Sequence, residues 1–278
     1  MAEGDIGKLY AMNIWPLYPY SERSKRRYRE ALVLFENVVG HEWVQRQTEK
    51  EKIDILEICA GTGIGGVALA RALLDVADVN LTITDIREND LKIGAEWGKQ
   101  VIGERIDYAK IDAKNVNNLG KKFDIALLYG LSSPHFDPWE MIRLQLAVSE
   151  SLVDDGLFLV EEADRRFSIF FKSGYKTFLS EKIDENSAIV SIHAGYNFIR
   201  GTFRRVFVDI INPKEKAAVN VFFWGLAELM AIMWMFFQDI DFYEISFGRG
   251  IVMGFKPRRI IKGKDIRNLP RIFRKEKQ

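Results

Sequence analysis

Hydrophobic and polar positions alternate between two patterns through the middle of the chain. Short, uninterrupted apolar runs predict buried strands, and these runs are IDILEICA (residues 53–60), LTITD, FDIALLYG and GLFLVEEAD, with a further short strand near IDYAKID. Segments with apolar residues at helical spacing lie between the strands: VALARALLDVA, RENDLKIGAEWGKQVIG and PWEMIRLQLAVSESL. Strands alternating with helices of this length predict an α/β fold, with a parallel sheet covered on both faces as a three-layer αβα sandwich.

The flanking segments follow other patterns. The first 20 residues interleave aromatic residues with Pro16 and Pro19, which predicts an ordered arm, and residues 21–47 predict an amphipathic helix behind Ser21 as its N-cap. After Asp164, the runs SAIVSIHAG and FRRVFVDII predict an inserted hairpin. Residues 217–237 predict one apolar helix, and DFYEISFG and RGIVMGFKP predict an antiparallel strand pair.

Composition narrows the class of protein. The chain has 278 residues, of which 47% are hydrophobic and 28% charged, so whole-chain disorder is excluded. A single cysteine and three scattered histidines exclude a disulfide framework and show no metal-ligand spacing, so no metal site is predicted. The N-terminus lacks the basic start and apolar run of a secretory signal, and we expect a cytoplasmic protein.

Residues 217–237 are long enough to cross a bilayer, with Glu228 as their only charge. A carboxylate at the centre of a membrane costs ~2.5 to 3.5 kcal/mol. We therefore expect no integral membrane span, and burial of this helix in the fold or in a homodimer interface.

Three glycines and two acids form the main candidate site. Gly61, Gly63 and Gly66 satisfy the pattern G-x-G-x-x-G, and Asp85 lies nineteen residues after Gly66. This pattern is compatible with an NAD(P)-dependent oxidoreductase. Glu57, four residues before Gly61, favours a cationic ligand instead, because a carboxylate beside the loop would repel a pyrophosphate.

At these residues the sequence resembles the class I S-adenosylmethionine-dependent methyltransferase family. The run Glu57-Ile-Cys-Ala-Gly61-Thr-Gly63 is similar to the family's first motif, and later acids agree in order: Asp85 in LTITDIR and Asp112 in YAKIDAKNV. FDIALLYG and LVDDGLFLVEEA are similar to its fourth and fifth strands, with Asp155 where glycine is common. The resemblance covers about residues 53–164 and weakly 217–257. It implies a seven-stranded mixed sheet, mostly parallel, with a C-terminal antiparallel pair.

The resemblance also implies the cofactor S-adenosyl-L-methionine and its contacts. Glu57 is expected to support the ammonium group, Asp85 to bind the ribose hydroxyls, and Asp112 to bind the adenine amino group. The full set of expected cofactor-binding residues is Glu57, Ala60, Gly61, Gly63, Asp85, Ile86, Asp112, Ala113, Tyr129, Tyr18 and Tyr20. Taken one at a time, Asp85 is equally well a helix N-cap, Asp112 a turn residue and Glu57 a buried ion-pair partner.

His135, in the segment after the fourth strand, is the candidate catalytic base because its ordinary pKa suits proton transfer near neutral pH. Tyr18 and Tyr20 are expected to cover the cofactor as a lid, with packing against the first helix as the alternative. The segment after the fourth strand lacks an N-P-P-Y type motif, which argues against adenine or amide acceptors.

These features divide the chain into five parts. They are an aromatic arm and helical lid (1–52), a cofactor-binding core (53–164), a substrate-specificity insertion (165–212), a completion of the core (213–257) and a basic tail (258–278). The acceptor is expected to be a small or lipid-like molecule. RNA is the alternative, because residues 256–278 contain ten Lys or Arg against two acids, although such tails are often only solvated ends.

Overall fold

Eleven strands form two separate sheets in the computed structural model, which describes residues 3–266 and 270–273. The strands are β1 (Lys52–Glu57), β2 (Asp78–Asp85), β3 (Ile106–Lys110), β4 (Phe123–Leu128), β5 (Leu152–Ala163), β6 (Phe178–Ile183), β7 (Ala188–Asn197), β8 (Thr202–Asp209), β9 (Lys216–Val221), β10 (Phe237–Ser246) and β11 (Arg249–Pro257). The larger sheet has the order β10-β11-β5-β4-β1-β2-β3. Strand β11 runs opposite to the other six strands of this sheet, so the predicted seven-stranded mixed sheet is confirmed.

Within the described residues, seven α-helices surround the sheets. They are α1 (Glu3–Ala11), α2 (Glu22–Val38), α3 (Glu42–Thr48), α4 (Ile64–Leu73), α5 (Glu88–Ile102), α6 (Pro138–Ser151) and α7 (Leu226–Phe236). Short turns of 3₁₀-helix cover Ala113–Leu119, Ser133–His135 and Gly263–Ile266, and Phe167–Lys172 form a turn of π-helix. Ser21 caps α2 as predicted, since its hydroxyl accepts a hydrogen bond from the Ser24 amide.

The core lies on both faces of the larger sheet. Ile53, Ile55 and Leu56 on β1 are fully buried, as expected for a central parallel strand with helices above and below. Ile55 belongs to the cluster that packs with α2 and α4, whereas Leu56 belongs to the cluster that packs with α6 and α7. Alternating side chains of one strand thus serve two cores, and the predicted three-layer sandwich is confirmed.

The inserted segment is larger than the predicted hairpin. It forms a four-stranded antiparallel sheet in the order β6-β7-β8-β9, so it extends to Val221 and does not end at residue 212. Leu9, Met12 and Ile14 from the N-terminal arm pack into its inner face, and Leu9 is only 1% exposed. The arm and the insertion therefore share one hydrophobic cluster, which the sequence analysis treated as two independent additions.

The predicted single helix over residues 217–237 is wrong. Residues up to Val221 form β9, residues 226–236 form α7, and β10 begins at Phe237. Ala217 and Val219 are buried while Asn220 is exposed, because this part follows the two-residue period of a strand. Within residues 3–266 and 270–273, every helix is too short or too polar to cross a bilayer.

Two other boundaries differ from the sequence analysis. The helix expected over residues 21–47 breaks after Val38, and α3 starts anew with the His41 ring accepting a hydrogen bond from the Trp43 amide. The start of the basic tail is packed against the core: Arg259 donates to the Ser149 and Leu152 carbonyl oxygens at 2.8 and 2.7 Å. Residues 267–269 and 274–278 of that tail lie outside the described residues.

Candidate active site

Two neighbouring cavities open at the carboxyl ends of the parallel strands. The larger has a volume of about 850 Å³ and extends from the loop after β1 to the inner face of the second sheet. The smaller has a volume of about 70 Å³ and lies beside the ends of β2 and β3. Ligands of open α/β sheets bind at this edge. Tyr10, Cys59, Arg87 and His135 line both cavities, so these side chains form the boundary between them.

The glycine loop joins β1 to α4 through backbone conformations that favour glycine. Gly63 is the N-cap of α4 with φ of +73°, in the left-handed region. A Cβ on Gly66 would lie 2.6 Å from Oε2 of Glu57, so this glycine lets the helix approach the strand. Ala60 and Gly61 line the larger cavity, whereas Gly63 shapes the turn without lining either cavity.

Glu57 is a buried acid at the end of β1 and lines the larger cavity. Its side chain is only 1% exposed, and among the described residues Oε2 has no hydrogen-bond partner. Burial raises the pKa of Glu57 to about 8, although the Gly66 amide and the Arg27 guanidinium lower it. A cationic group bound here would restore the charge balance and supply the missing partner.

Asp85 ends β2, and both of its oxygens are already engaged. One oxygen accepts from the Gly61 amide at 2.8 Å, and the other accepts from the Arg87 amide at 2.9 Å. The Arg87 guanidinium adds contacts of 3.2 Å to each oxygen and also pairs with Asp90. The Tyr10 ring covers this guanidinium, with 3.9 Å from the Arg87 Cζ to the ring centroid. A ribose hydroxyl that binds Asp85 must therefore compete with Arg87.

Asp112 follows β3 and lines the smaller cavity together with Ile86 and Ala113. Its carboxylate caps the 3₁₀ turn by accepting from the Lys114 amide at 2.9 Å, and the Lys114 ammonium lies 3.3 Å away. Both the turn reading and the ligand reading of Asp112 therefore fit, because a cap uses only part of the accepting capacity of a carboxylate.

His135 lies at the boundary between the cavities, with Nε2 2.9 Å from the Tyr10 hydroxyl. Burial, together with the nearby Arg87 and Arg165, lowers the pKa of His135 to about 4. The imidazole is consequently neutral at pH 7 and a weak proton acceptor. This environment disfavours the predicted role of His135 as a general base.

The predicted tyrosine lid takes another form. Tyr18 and Tyr20 line neither cavity and are 55% and 39% exposed, packed against each other at 5.4 Å between ring centroids. At this point the arm faces the cavity with its backbone, since the Leu17 carbonyl accepts a hydrogen bond from the Thr62 hydroxyl at 2.6 Å. The two tyrosine side chains therefore point away from the cavity. Among the described residues of the arm, Tyr10 is the one that lines both cavities. Tyr129, an expected cofactor-binding residue, lines the larger cavity and is 8% exposed.

Sequence reasoning missed several residues that line the larger cavity. Arg27 on α2 donates to the Pro16 carbonyl at 3.1 Å and lies over the Tyr129 ring, 5.3 Å from its centroid. Glu161 on β5 accepts from the Gly130 amide at 2.9 Å and pairs with Arg249 at 2.7 Å. Arg27 belongs to the basic run SERSKRRYR, but nothing in that run distinguishes it from its exposed neighbours.

One family model matches the part of the chain that contains the glycine loop, and solved structures match the fold as a whole. The model of a family described as lysine methyltransferase matches residues 28–116, which span α2 to the 3₁₀ turn after β3 and exclude the second sheet. No curated protein matches the chain. Many solved structures do match it.

Three of these structures show the range. The PH0226 protein from Pyrococcus horikoshii is 16% identical, with 90% of this chain and 99% of that chain covered and a TM-score of 0.58. An S-adenosylmethionine-dependent methyltransferase from Clostridium acetobutylicum is 13% identical over 90% and 98% of the chains, with a TM-score of 0.58. The CcbJ methyltransferase from Streptomyces caelestis is 13% identical over 80% and 88%, with a TM-score of 0.59. At such identities the likeness shows the fold alone.

The fold and the family match over the glycine loop and its acids point to the same class of protein. Residues 28–116 match the lysine methyltransferase model, and the chain has the fold of class I S-adenosylmethionine-dependent methyltransferases. It is an enzyme that uses S-adenosyl-L-methionine, and this identification replaces the NAD(P)-dependent oxidoreductase alternative. The residues present fit this cofactor, because Glu57 leaves a buried oxygen without a partner beside a glycine loop, with Asp85 and Asp112 at the next two strand ends.

Proposed function

We propose that this methyltransferase acts on a small or lipid-like acceptor that enters the larger cavity. The observation that carries this proposal is the continuity of one cavity of about 850 Å³ from Glu57 and the glycine loop to the second sheet. A cavity of this size accommodates a small molecule beside a cofactor. The second sheet adds the apolar side chains of Leu179 and Phe207 to its wall, and Phe223, just after β9, adds another.

The chain's own residues divide the task of holding the cofactor. Glu57 binds the ammonium group, Asp85 binds the ribose hydroxyls after releasing Arg87, and Asp112 with the Ala113 amide binds the adenine. When bound, S-adenosylmethionine supplies an electrophilic methyl group on a sulfonium. The protein aligns the acceptor with that group and excludes water, which is the main requirement of an in-line displacement.

Arg27 is suited to the carboxylate of the cofactor's amino acid. It lines the same cavity as Glu57 and is close enough to lower the pKa of that acid. Among the described residues no carboxylate pairs with Arg27, which instead contacts a carbonyl oxygen and an aromatic ring. An ammonium on Glu57 and a carboxylate on Arg27 would satisfy both charges of one amino acid group.

Two other acceptor classes follow from the family match and from the charge of the C-terminal segment. A protein lysine is the acceptor named for the matching family, but that match ends at residue 116 and does not include the acceptor wall. RNA would use the basic tail, yet Arg258 and Arg259 donate to backbone carbonyls of the core. Both observations favour the small or lipid-like acceptor.

Methyl-labelled S-adenosylmethionine and a fractionated cell extract test the proposal. The purified chain is incubated with separate small-molecule, lipid, RNA and protein fractions, and the label is counted in each. We expect label in the small-molecule or lipid fraction, and none when Asp85→Ala replaces the wild-type chain. Label confined to the protein or RNA fraction would contradict the proposed acceptor class while leaving the enzyme class intact.

A further inference from the structure

A hydrogen-bonded cluster of three titratable side chains lies at the second sheet, and two of them, Tyr175 and Arg205, line the larger cavity. The Tyr175 hydroxyl lies 2.7 Å from Nδ1 of His193 and accepts from Nη1 of Arg205 at 3.2 Å. Tyr175 precedes β6, His193 lies on β7 and Arg205 on β8, where the last two face each other in the strand register. Three segments of the insertion thus converge on one phenolic oxygen.

Arg205 is fixed in place by its remaining donors. Its side chain is only 7% exposed, and it donates to the Ser191 hydroxyl and carbonyl oxygens and to the Lys176 carbonyl at 2.6 to 3.1 Å. With every donor engaged, this guanidinium cannot turn toward a ligand. Its effect on the site is therefore electrostatic, since it holds a fixed positive charge beside the oxygen of Tyr175.

The Tyr175 ring is held equally firmly, which leaves the hydroxyl as its reactive end. Its centroid lies 5.2 Å from that of Phe203 and 5.8 Å from that of Phe170, in a cluster of aromatic side chains. The amide of His193 donates to the Thr177 carbonyl at 2.7 Å, which ties the segment of Tyr175 to β7. Tyr175 and Arg205 line the cavity that also contains Glu57.

We propose that Tyr175 is the general base of methyl transfer, that His193 takes the proton onward, and that the acceptor therefore carries its nucleophile as O–H or N–H. This inference rests on the proposed function. One lone pair of the Tyr175 oxygen accepts from Arg205, its proton points to Nδ1 of His193, and the second lone pair accepts a hydrogen bond from the acceptor.

The step balances in protons and electrons. The lone pair of the acceptor atom forms the bond to the methyl carbon while the bond from that carbon to sulfur breaks and its electron pair stays on sulfur. The acceptor's proton moves to the oxygen of Tyr175 as the proton of Tyr175 moves to Nδ1 of His193. The products are the methylated acceptor, S-adenosylhomocysteine and an imidazolium at His193, which loses its proton to solvent because the side chain is partly exposed.

The charged groups around the pair act differently on its two ends. Arg205 stabilises negative charge on the Tyr175 oxygen during the transfer, but it also faces His193 in the strand register, where its charge opposes an imidazolium. Lys176 adds a second positive charge to the cavity wall. Glu181 on β6 binds the Ser191 hydroxyl next to Arg205, and its carboxylate supports positive charge in the cluster. His135, with its pKa held at about 4 and its Nε2 at the Tyr10 hydroxyl, is much less suited to this task.

The test compares Tyr175→Phe with Tyr196→Phe. Tyr196 contacts the same aromatic cluster through Phe203, with 4.8 Å between centroids, but lies outside the hydrogen-bonded chain. Both variants are assayed with methyl-labelled S-adenosylmethionine and the small-molecule and lipid fractions of a cell extract. General acid–base catalysis contributes ~10² to 10⁴-fold, so we expect Tyr175→Phe to lower kcat at least about a hundredfold and to flatten its pH profile, while Tyr196→Phe retains both.

Two further measurements separate catalysis from structure. His193→Gln should lower kcat without changing the Kd for S-adenosylhomocysteine, and ¹⁵N NMR should show a changed Nδ1 shift of His193 in Tyr175→Phe but not in Tyr196→Phe. Mass spectrometry should locate the methyl group on oxygen or nitrogen.

The outcomes distinguish this inference from the function on which it rests. Three results would overturn this inference and leave the proposed function intact. Tyr175→Phe could transfer label as fast as the wild type, or it could raise KM with an unchanged pH profile. The methyl group could also be found on carbon or sulfur. Absence of label in every fraction with the wild type would contradict the proposed function itself.

Discussion

Protonation of Glu57 should make cofactor affinity depend on pH. Burial raises the pKa of Glu57 from 4.5 to about 8, so at pH 7 most molecules of the free enzyme carry a neutral side chain. An ammonium group binds the carboxylate form, and binding must then release the proton. The affinity of the wild type and of Glu57→Gln is therefore compared as the pH is changed between 6 and 9.

The size of the effect follows from that pKa. If only the ionised form binds, affinity for S-adenosylhomocysteine falls relative to its high-pH limit by about tenfold at pH 7 and about a hundredfold at pH 6. At pH 7 binding should release about 0.9 proton per ligand. Glu57→Gln cannot ionise, so its affinity should be weak and nearly independent of pH across this range.

Isothermal titration in buffers of different ionisation enthalpy measures both the affinity and the released protons. A control comes from stability: because the folded state holds the Glu57 proton between pH 4.5 and 8 and the unfolded state does not, the free energy of unfolding should fall by up to about 1.4 kcal/mol per pH unit as pH rises through that window. Glu57→Gln should lack this loss. Wild-type affinity that stays constant from pH 6 to 8, with no proton released, would refute the role of Glu57.

Three other predictions concern the nucleoside end of the site and the core that packs with α6 and α7. Asp85→Ala should weaken S-adenosylhomocysteine binding at least about a hundredfold, because a charged hydrogen-bond acceptor contributes ~1.5 to 3 kcal/mol per bond; titration calorimetry of a variant with unchanged affinity would contradict this. Arg87→Ala should bind about tenfold more tightly, since the ribose no longer competes with the guanidinium for Asp85; weaker binding would show that Arg87 contacts the ligand. Trp224→Phe should lower the free energy of unfolding by about 2 kcal/mol, because the buried indole donates to the Ser133 and Phe136 carbonyls, each at 3.1 Å. Trp234→Phe, at a side chain 60% exposed, is the matched control and should leave chemical denaturation unchanged.

The pattern of apolar residues was sufficient for the larger sheet. Strands β1 and β4 are largely buried, so their sequences are mostly apolar runs, and each leads into a helix whose apolar spacing is local. The acids Glu57, Asp85 and Asp112 were also predictable as a group, because the carboxyl ends of parallel strands always meet at one edge.

The segment from 217 to 237 shows where local pattern fails. Its composition is apolar throughout, and such a run fits a buried helix as well as strand residues packed on two different cores. Ala217 and Val219 pack with the N-terminal arm, whereas Leu229 and Met233 pack under the larger sheet. The change of partner between these positions depends on contacts with residues far away in the chain.

The sequence by itself indicated the class of protein and the cofactor through its family resemblance, and the end of the sheet at which we propose that the cofactor binds, because those features rest on strand ends and a glycine turn that are local. Only the tertiary structure decided which side chains surround the ligand. Tyr10 took the covering position expected for Tyr18 and Tyr20, His135 became a buried neutral imidazole, and Tyr175 came to lie in the wall of the cavity. Burial and distant neighbours set the pKa and the accessible face of a side chain, and neither is encoded in its immediate sequence.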